Sequence, residues 1–431
     1  MIILHHIPAL VRVALVFAVV LIGMRRKLTL GTSLLIGSLV LSLMFGFGPR
    51  EIIASMLSSI VDLKTMTIAV IVGLILILSS SMEKAGQMER LLTNFRGLVS
   101  NPRLNLTIFP ALIGLLPMPG GAVFSAPMVK ELGSNTRLSN DRLSFVNYWF
   151  RHIWEYWWPL YPGILLAAIM AEINLALIVS FGVPITLVAV VLGQSSIKGI
   201  RRRGDSGSVR ARPPLRPFIR ELMPILIAII PGLSLGVVLS RAVPWLPASK
   251  ETGLSLCLCA AIGWIWQVNG FTRARIGQIL RNPHVFKMIY MVIAILIFKG
   301  ILTDSQAVAG ISNELIRLKI PLLLVILAVP FLVGMLTGLT VAVVAGAFPI
   351  LIPMIHSMGE APYMLAYVML ALVSGFAGVL LSPVHLCLLL SNEYFHTSQL
   401  SVYKLLWVPC TGLILAGVGY FWLLHYVTPW I

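Results

Sequence analysis

Apolar runs close to twenty residues long recur along this chain from residue 8 to residue 426, separated by short polar stretches. A helix needs about 20 predominantly apolar residues to cross the hydrocarbon core of a bilayer. That recurrence leaves few folds open. A soluble domain with 58% hydrophobic and 11% charged residues could not hide so much apolar surface. A membrane β-barrel would instead show alternating segments of about ten residues. The expected class is an all-α polytopic membrane protein.

The formal net charge of +17 is that of a nucleic-acid binder. Its placement argues otherwise, because the basic residues fall mostly in alternate loops, as the positive-inside rule requires. No nucleic acid is expected; the lipid bilayer is the partner. Cys257, Cys259, Cys387 and Cys410 all lie in apolar runs. They read as small apolar residues, with no disulfide framework and no metal site. Residues 8–24 are followed, not preceded, by Arg25, Arg26 and Lys27, the wrong polarity for a cleaved signal peptide. They are expected to form a retained first helix with its N-terminus outside.

Charge then threads the topology. Helices are expected at about 8–24, 29–47 and 66–82, with an interfacial segment at 49–64. A cytoplasmic loop with Lys84, Arg90, Arg96 and Arg103 follows. Residues 105–130 are apolar but interrupted by Pro117, Pro119, Gly120 and Gly121, and both flanks are basic. Such a segment enters and leaves on one side as a re-entrant hairpin, its tip buried in protein or lining a watery cavity. The span at 143–171 is broken across Arg151–Pro159, and a helix at about 174–193 ends a first repeat, residues 1–194. Residues 195–217 form a basic cytoplasmic linker.

The second repeat, 218–431, has the same plan: helices at about 218–240 and 252–268, an interfacial stretch at 270–287 and a helix at about 288–302. A hairpin at 320–355, a broken span at 364–391 and a helix at about 404–426 complete it, leaving the C-terminus outside. Pro110, Leu112, Gly114 and Leu116 match Pro330, Leu332, Gly334 and Leu336 at one offset. The expected architecture is two inverted-topology repeats with about ten transmembrane helices and two re-entrant hairpins, the plan of many secondary transporters.

The candidate site residues lie at the two tips and the two breaks. Gly120 and Gly121 let the backbone turn and approach a ligand, with Ser125 just beyond. Thr337 and Thr340 offer hydroxyls at the second tip. The first break holds Asn147, Arg151, His152 and Glu155; the second holds Ser382 and His385. Ionisable groups at membrane depth usually face a protein interior or a watery cavity. One reading pairs Arg151 with Glu155 in a structural salt bridge, four residues apart on a helix. The other gives Gly120, Gly121, Ser125, Asn147, Arg151, Thr337, Thr340 and Ser382 to an anionic solute, and His152, Glu155 and His385 to ion or proton coupling. Trp149, Trp154, Trp157 and Trp158 cluster at the first break, as interfacial anchors or as a wall around the site.

The motifs Pro117-Met-Pro-Gly-Gly121, Asn147-Tyr-Trp-Phe-Arg-His-Ile-Trp-Glu155 and Leu381-Ser-Pro-Val-His-Leu-Cys387, with Asn392-Glu-Tyr394, resemble a family of bacterial and archaeal membrane proteins known as domain of unknown function 401. More distantly, the layout is similar to the ion-transporter superfamily of citrate, gluconate and dicarboxylate carriers and arsenite permeases. What that resemblance implies is an elevator-type carrier in the cytoplasmic (inner) membrane, with a homodimer by analogy. Dicarboxylate carriers of that group use Ser-Asn-Thr at the tips. Here the tips read Pro-Gly-Gly and Thr-Gly-Leu-Thr, a departure at the positions where that group holds its anion and sodium.

The expected function is secondary active transport of a small, anionic solute, coupled to protons or sodium, with no other cofactor. The alternatives are the membrane subunit of a multi-component transport system and an intramembrane metal-dependent enzyme built on His152-x-x-Glu155. No His-Glu-x-x-His stands in the sequence to support metal-dependent catalysis, and the chain is not expected to be an enzyme.

Overall fold

The computed structural model describes residues 7–99, 101–118, 120–134, 136, 138–197, 213–243 and 249–427. Pro119, Arg137 and most of the basic linker lie outside them. The described secondary structure is helical throughout. Among the described residues, eight helices are long and apolar enough to cross a membrane. This is the make-up of an integral membrane protein.

The chain opens with α1 (Ala9–Arg25), α2 (Leu30–Met44), the short α3 (Pro49–Val61) and α4 (Leu63–Lys84). Next come α5 (Gln87–Phe95), α6 (Pro102–Ile113), α7 (Ala122–Ser134), α8 (Asn140–Arg151), α9 (Pro162–Met170) and α10 (Leu175–Gln194). Beyond the linker lie α11 (Leu215–Ala242), α12 (Ser249–Val268), α13 (Arg273–Leu280), α14 (Pro283–Asp304) and α15 (Ala307–Arg317). The chain closes with α16 (Leu322–Thr337), α17 (Thr340–Ser357), α18 (Met364–Leu380), α19 (Leu386–Phe395) and α20 (Gln399–Val427).

Local chemistry sets many of these ends. The Asp62 carboxylate accepts from the Thr65 N–H at 3.0 Å to start α4, and Asn282 accepts from the His284 N–H at 3.0 Å to start α14. Pro49, Pro102, Pro162 and Pro283 open their helices, where a missing N–H costs nothing. Where the sequence reading has loops, at 83–104 and after residue 302, the chain forms α5 and α15. Both are short and amphipathic, burying Met88, Leu91 and Leu92, or Val308, Ile311 and Leu315, on one face. Their polar faces hide them from a search for apolar spans.

The helices pack in two groups. In one, α2 lies on α1 and α14, α4 lies on α12 and α14, and α11 pairs with α12. In the other, α16 packs along α18, α17 on α9, and α19 on α7 and α8. Burial separates core from periphery. The Ala361–Leu380 stretch that contains α18 is 94% buried, whereas the apolar windows of α10 and α11 are 28% buried. Leu187, Val191 and Ile230 stand exposed on those helices. An apolar exterior on long helices is a surface for lipid, while α18 is wrapped on all sides by protein.

Candidate functional site

Two turns and two breaks converge inside the second helix group. α6 and α7 are joined across residues 114–121, and α16 and α17 across Gly338 and Leu339. α8 stops at Arg151, and a succession of tight turns carries the chain to α9. α18 stops at Leu380, and five residues lead to α19. Gly120 (φ 70°) and Gly338 (φ 65°) take left-handed conformations at the two tips. A side chain at 338 would also press on the Ser382 hydroxyl and on the His385 backbone, both about 3 Å away.

Arg151 is 1% exposed. Because α8 ends there, Glu155 does not sit one turn above it, and the Arg151–Glu155 salt bridge of the first reading does not form. Instead Arg151 Nη2 donates to the Met118 carbonyl at 2.7 Å, and Nε has no hydrogen-bond partner among the described residues. Gly121 makes room for the guanidinium: a Cβ there would lie 2.1 Å from Nη2. The aromatic residues of the break do similar work on the end of α6. Trp154 Nε1 donates to the Ala111 carbonyl at 2.8 Å, Trp158 Nε1 to the Leu115 carbonyl at 2.9 Å, and Tyr161 to the Gly114 carbonyl at 2.8 Å. The last carbonyls of a helix lack internal partners, and these donors supply them. Trp154 and Trp158 thus bond the end of the first hairpin arm, whereas Trp149 and Trp157 donate to the Ala189 carbonyl and the Thr186 hydroxyl of α10.

The remaining predicted residues fall into two connected clusters. His152 and His385 face each other with Nε2 atoms 3.2 Å apart, both buried. Glu155 Oε1 lies 3.9 Å from His152 Nε2, and Glu155 Oε2 accepts from the Thr340 hydroxyl at 2.9 Å. Along α8, Ser125 donates to Asn147 Oδ1 at 2.6 Å, and Asn147 Nδ2 donates to the Ala122 carbonyl and the Ser391 hydroxyl. Ser382 is buried beside Gly338. Thr337 does not join its neighbours. Its hydroxyl donates back to the Val333 carbonyl at 2.7 Å.

A profile of the family described as "Protein of unknown function (DUF401)" matches residues 9–423. The chain belongs to this family. No curated protein matches it.

In this DUF401 protein the sequence reading misses several participants. Tyr148 packs edge-on against both histidine rings, with centroids 4.8 and 5.2 Å away, and donates to the Leu380 carbonyl. Ser144 donates to Asn392 Oδ1 at 2.6 Å, which ties α8 to α19 next to the Asn147–Ser391 bond. Cys387, read as a small apolar residue, has its sulfur within 4.8 Å of ring nitrogens of His152 and His385. A signal is present in hindsight: polar residues recur at 144 and 147 and at 391 and 392 inside otherwise apolar helices. Nothing local says that the two sets meet.

Proposed function

We propose that this protein is a secondary active transporter of a small anionic solute, coupled to protons or sodium, with the solute held between the two hairpin tips and the two breaks. The observation that carries the reading is Arg151: a buried guanidinium, 1% exposed, whose Nε has no hydrogen-bond partner among the described residues, at a helix break in an apolar chain. A charge that deep is costly and marks a polar pathway or ligand by default. The starts of α7 and α17 lie at the same tips, and helix N-termini favour negative charge.

The inverted-repeat, elevator-type plan belongs to this proposal. What supports a repeat is the order α1–α10 and α11–α20, with α4 and α14 both 22 residues long. Left-handed residues recur at matching joints as well: Gly46 and Gly270, Gly86 and Gln306, Gly97 and Lys319, Glu172 and His396. These pairs keep an offset near that of Pro110 and Pro330, and a positive φ outside glycine is uncommon enough to make the recurrence informative. In this reading the group around α2, α4, α12 and α14 is the scaffold, and the group around the hairpins moves. The inner membrane, outward termini and a homodimer complete the proposal.

The test is solute uptake by the purified chain in liposomes under imposed sodium or proton gradients. Arg151→Ala should abolish uptake while the protein still inserts and elutes as the wild type. Unchanged uptake in that variant would remove Arg151 as the anion ligand. Uptake by the chain alone would also show that no partner subunit is obligatory.

A further inference from the structure

We infer that His152, His385 and Cys387 form a binding site for a borderline-soft divalent transition-metal ion of the zinc class. This inference goes beyond the transport reading and does not depend on it.

The three side chains come from the two breaks and are all buried. Their ligand atoms lie within 4.8 Å of one another. The two Nε2 atoms are 3.2 Å apart. Tetrahedral zinc with nitrogen bonds of 2.0–2.1 Å has nitrogens about 3.3 Å apart, so the histidines already stand near that spacing. The Cys387 sulfur would need to approach by roughly 1 Å to reach its tetrahedral position. Glu155 Oε1, 3.9 Å from His152 Nε2, is the nearby oxygen for a fourth position.

The surroundings match what ligating histidines need. His152 Nδ1 donates to the Tyr148 carbonyl at 2.5 Å, which puts the proton on Nδ1 and leaves the Nε2 lone pair facing the cluster. Fixing one ring nitrogen on a carbonyl so that the other can ligate is the recurrent outer-shell device of metal sites. Without an ion, His385 Nε2 must donate to His152. With an ion on Nε2 the His385 proton sits on Nδ1, which makes no hydrogen bond of normal geometry among the described residues but has the Val379 carbonyl as an acceptor beside its ring. Two imidazoles and a thiolate are ligands for zinc or copper and poor ones for magnesium or calcium.

The charges are also opposed. Arg151 lies within electrostatic range of Cys387 and Glu155. Binding converts the Cys387 thiol to a thiolate, its proton passing to water, and keeps both histidines neutral. The thiolate and the Glu155 carboxylate then stand against the ion and Arg151, where unpaired charge would be costly. Cys387 and His385 are each 6% exposed and Glu155 9%, whereas His152 is fully buried.

The experiment uses the full chain in detergent, stripped with a chelator and titrated with cobalt(II). One equivalent should bind, with the visible bands of a tetrahedral ion and a near-ultraviolet thiolate-to-cobalt charge-transfer band, and zinc should displace it. Cys387→Ser should lose the charge-transfer band. His385→Ala should weaken binding by at least about 100-fold, the upper end of what outer-shell changes cost. If either variant fails to elute as a folded protein, the other carries the test. Absence of stoichiometric binding would overturn the inference. So would an unchanged charge-transfer band in Cys387→Ser or unchanged affinity in His385→Ala, since the ion would then sit elsewhere.

Discussion

At the scale of single residues, Arg151 and Gly121 act as one unit. The guanidinium occupies the space a β-carbon would take, 2.1 Å from the would-be atom. Gly121→Ala should therefore displace Arg151 from the Met118 carbonyl and cut transport nearly as far as Arg151→Ala does. Its stability cost should be about 1–3 kcal/mol, the range for overpacking a close-packed interior. Thermal unfolding in detergent and liposome uptake, run side by side, check both halves. Wild-type uptake in Gly121→Ala would mean that the arginine can move without consequence. Thr337 is the contrasting case. Its hydroxyl donates to its own helix and accepts from the Leu339 N–H of the turn, so Thr337→Val should leave uptake close to wild type, whereas Thr340→Val should lower it by freeing Glu155.

At the scale of elements, the first hairpin is stabilised by donors from the break that follows it. Trp154, Trp158 and Tyr161 each satisfy a carbonyl at the end of α6 or just beyond. Tyr161→Phe keeps the ring and leaves the Gly114 carbonyl unmatched in a buried setting, a loss of about 1–3 kcal/mol. The expected result is a lower unfolding temperature with the same oligomeric elution. An unchanged temperature would mean that water reaches that carbonyl. At the second tip, Gly338→Ala forces a left-handed alanine at a cost of about 1–2 kcal/mol before any clash with Ser382. The same assay reads it.

At the scale of the whole molecule, the two halves are interlocked: α2 packs on α14, α4 on α12, α9 on α17 and α8 on α19. An inverted repeat makes a labelling prediction. In a Cys259→Ser background, an impermeant thiol reagent applied to intact cells should label His356→Cys, in the last turn of α17, and should reach Glu89→Cys, on α5, only after permeabilisation. Equal labelling of both from outside would refute opposite orientations of the halves. A solute panel read by thermal shift tests the substrate class, because a ligand at 100 times its Kd raises stability by about 2.7 kcal/mol.

Sequence alone determined the membrane class, the places where helices break, and the residues worth watching at those breaks. Hydropathy, loop charge, proline and glycine act within about twenty residues, which is the range over which a helix crosses a bilayer. The short α5 and α15 escaped because their apolar faces are only a few residues each. Tertiary structure alone decided the partners. The His152–His385 contact joins residues 233 apart, and Thr340 reaches Glu155 across 185. Ending α8 at Arg151 turned an apparent salt bridge into a hairpin anchor. A side chain's direction after a helix break depends on what packs around it, and no local pattern encodes which distant helix that will be.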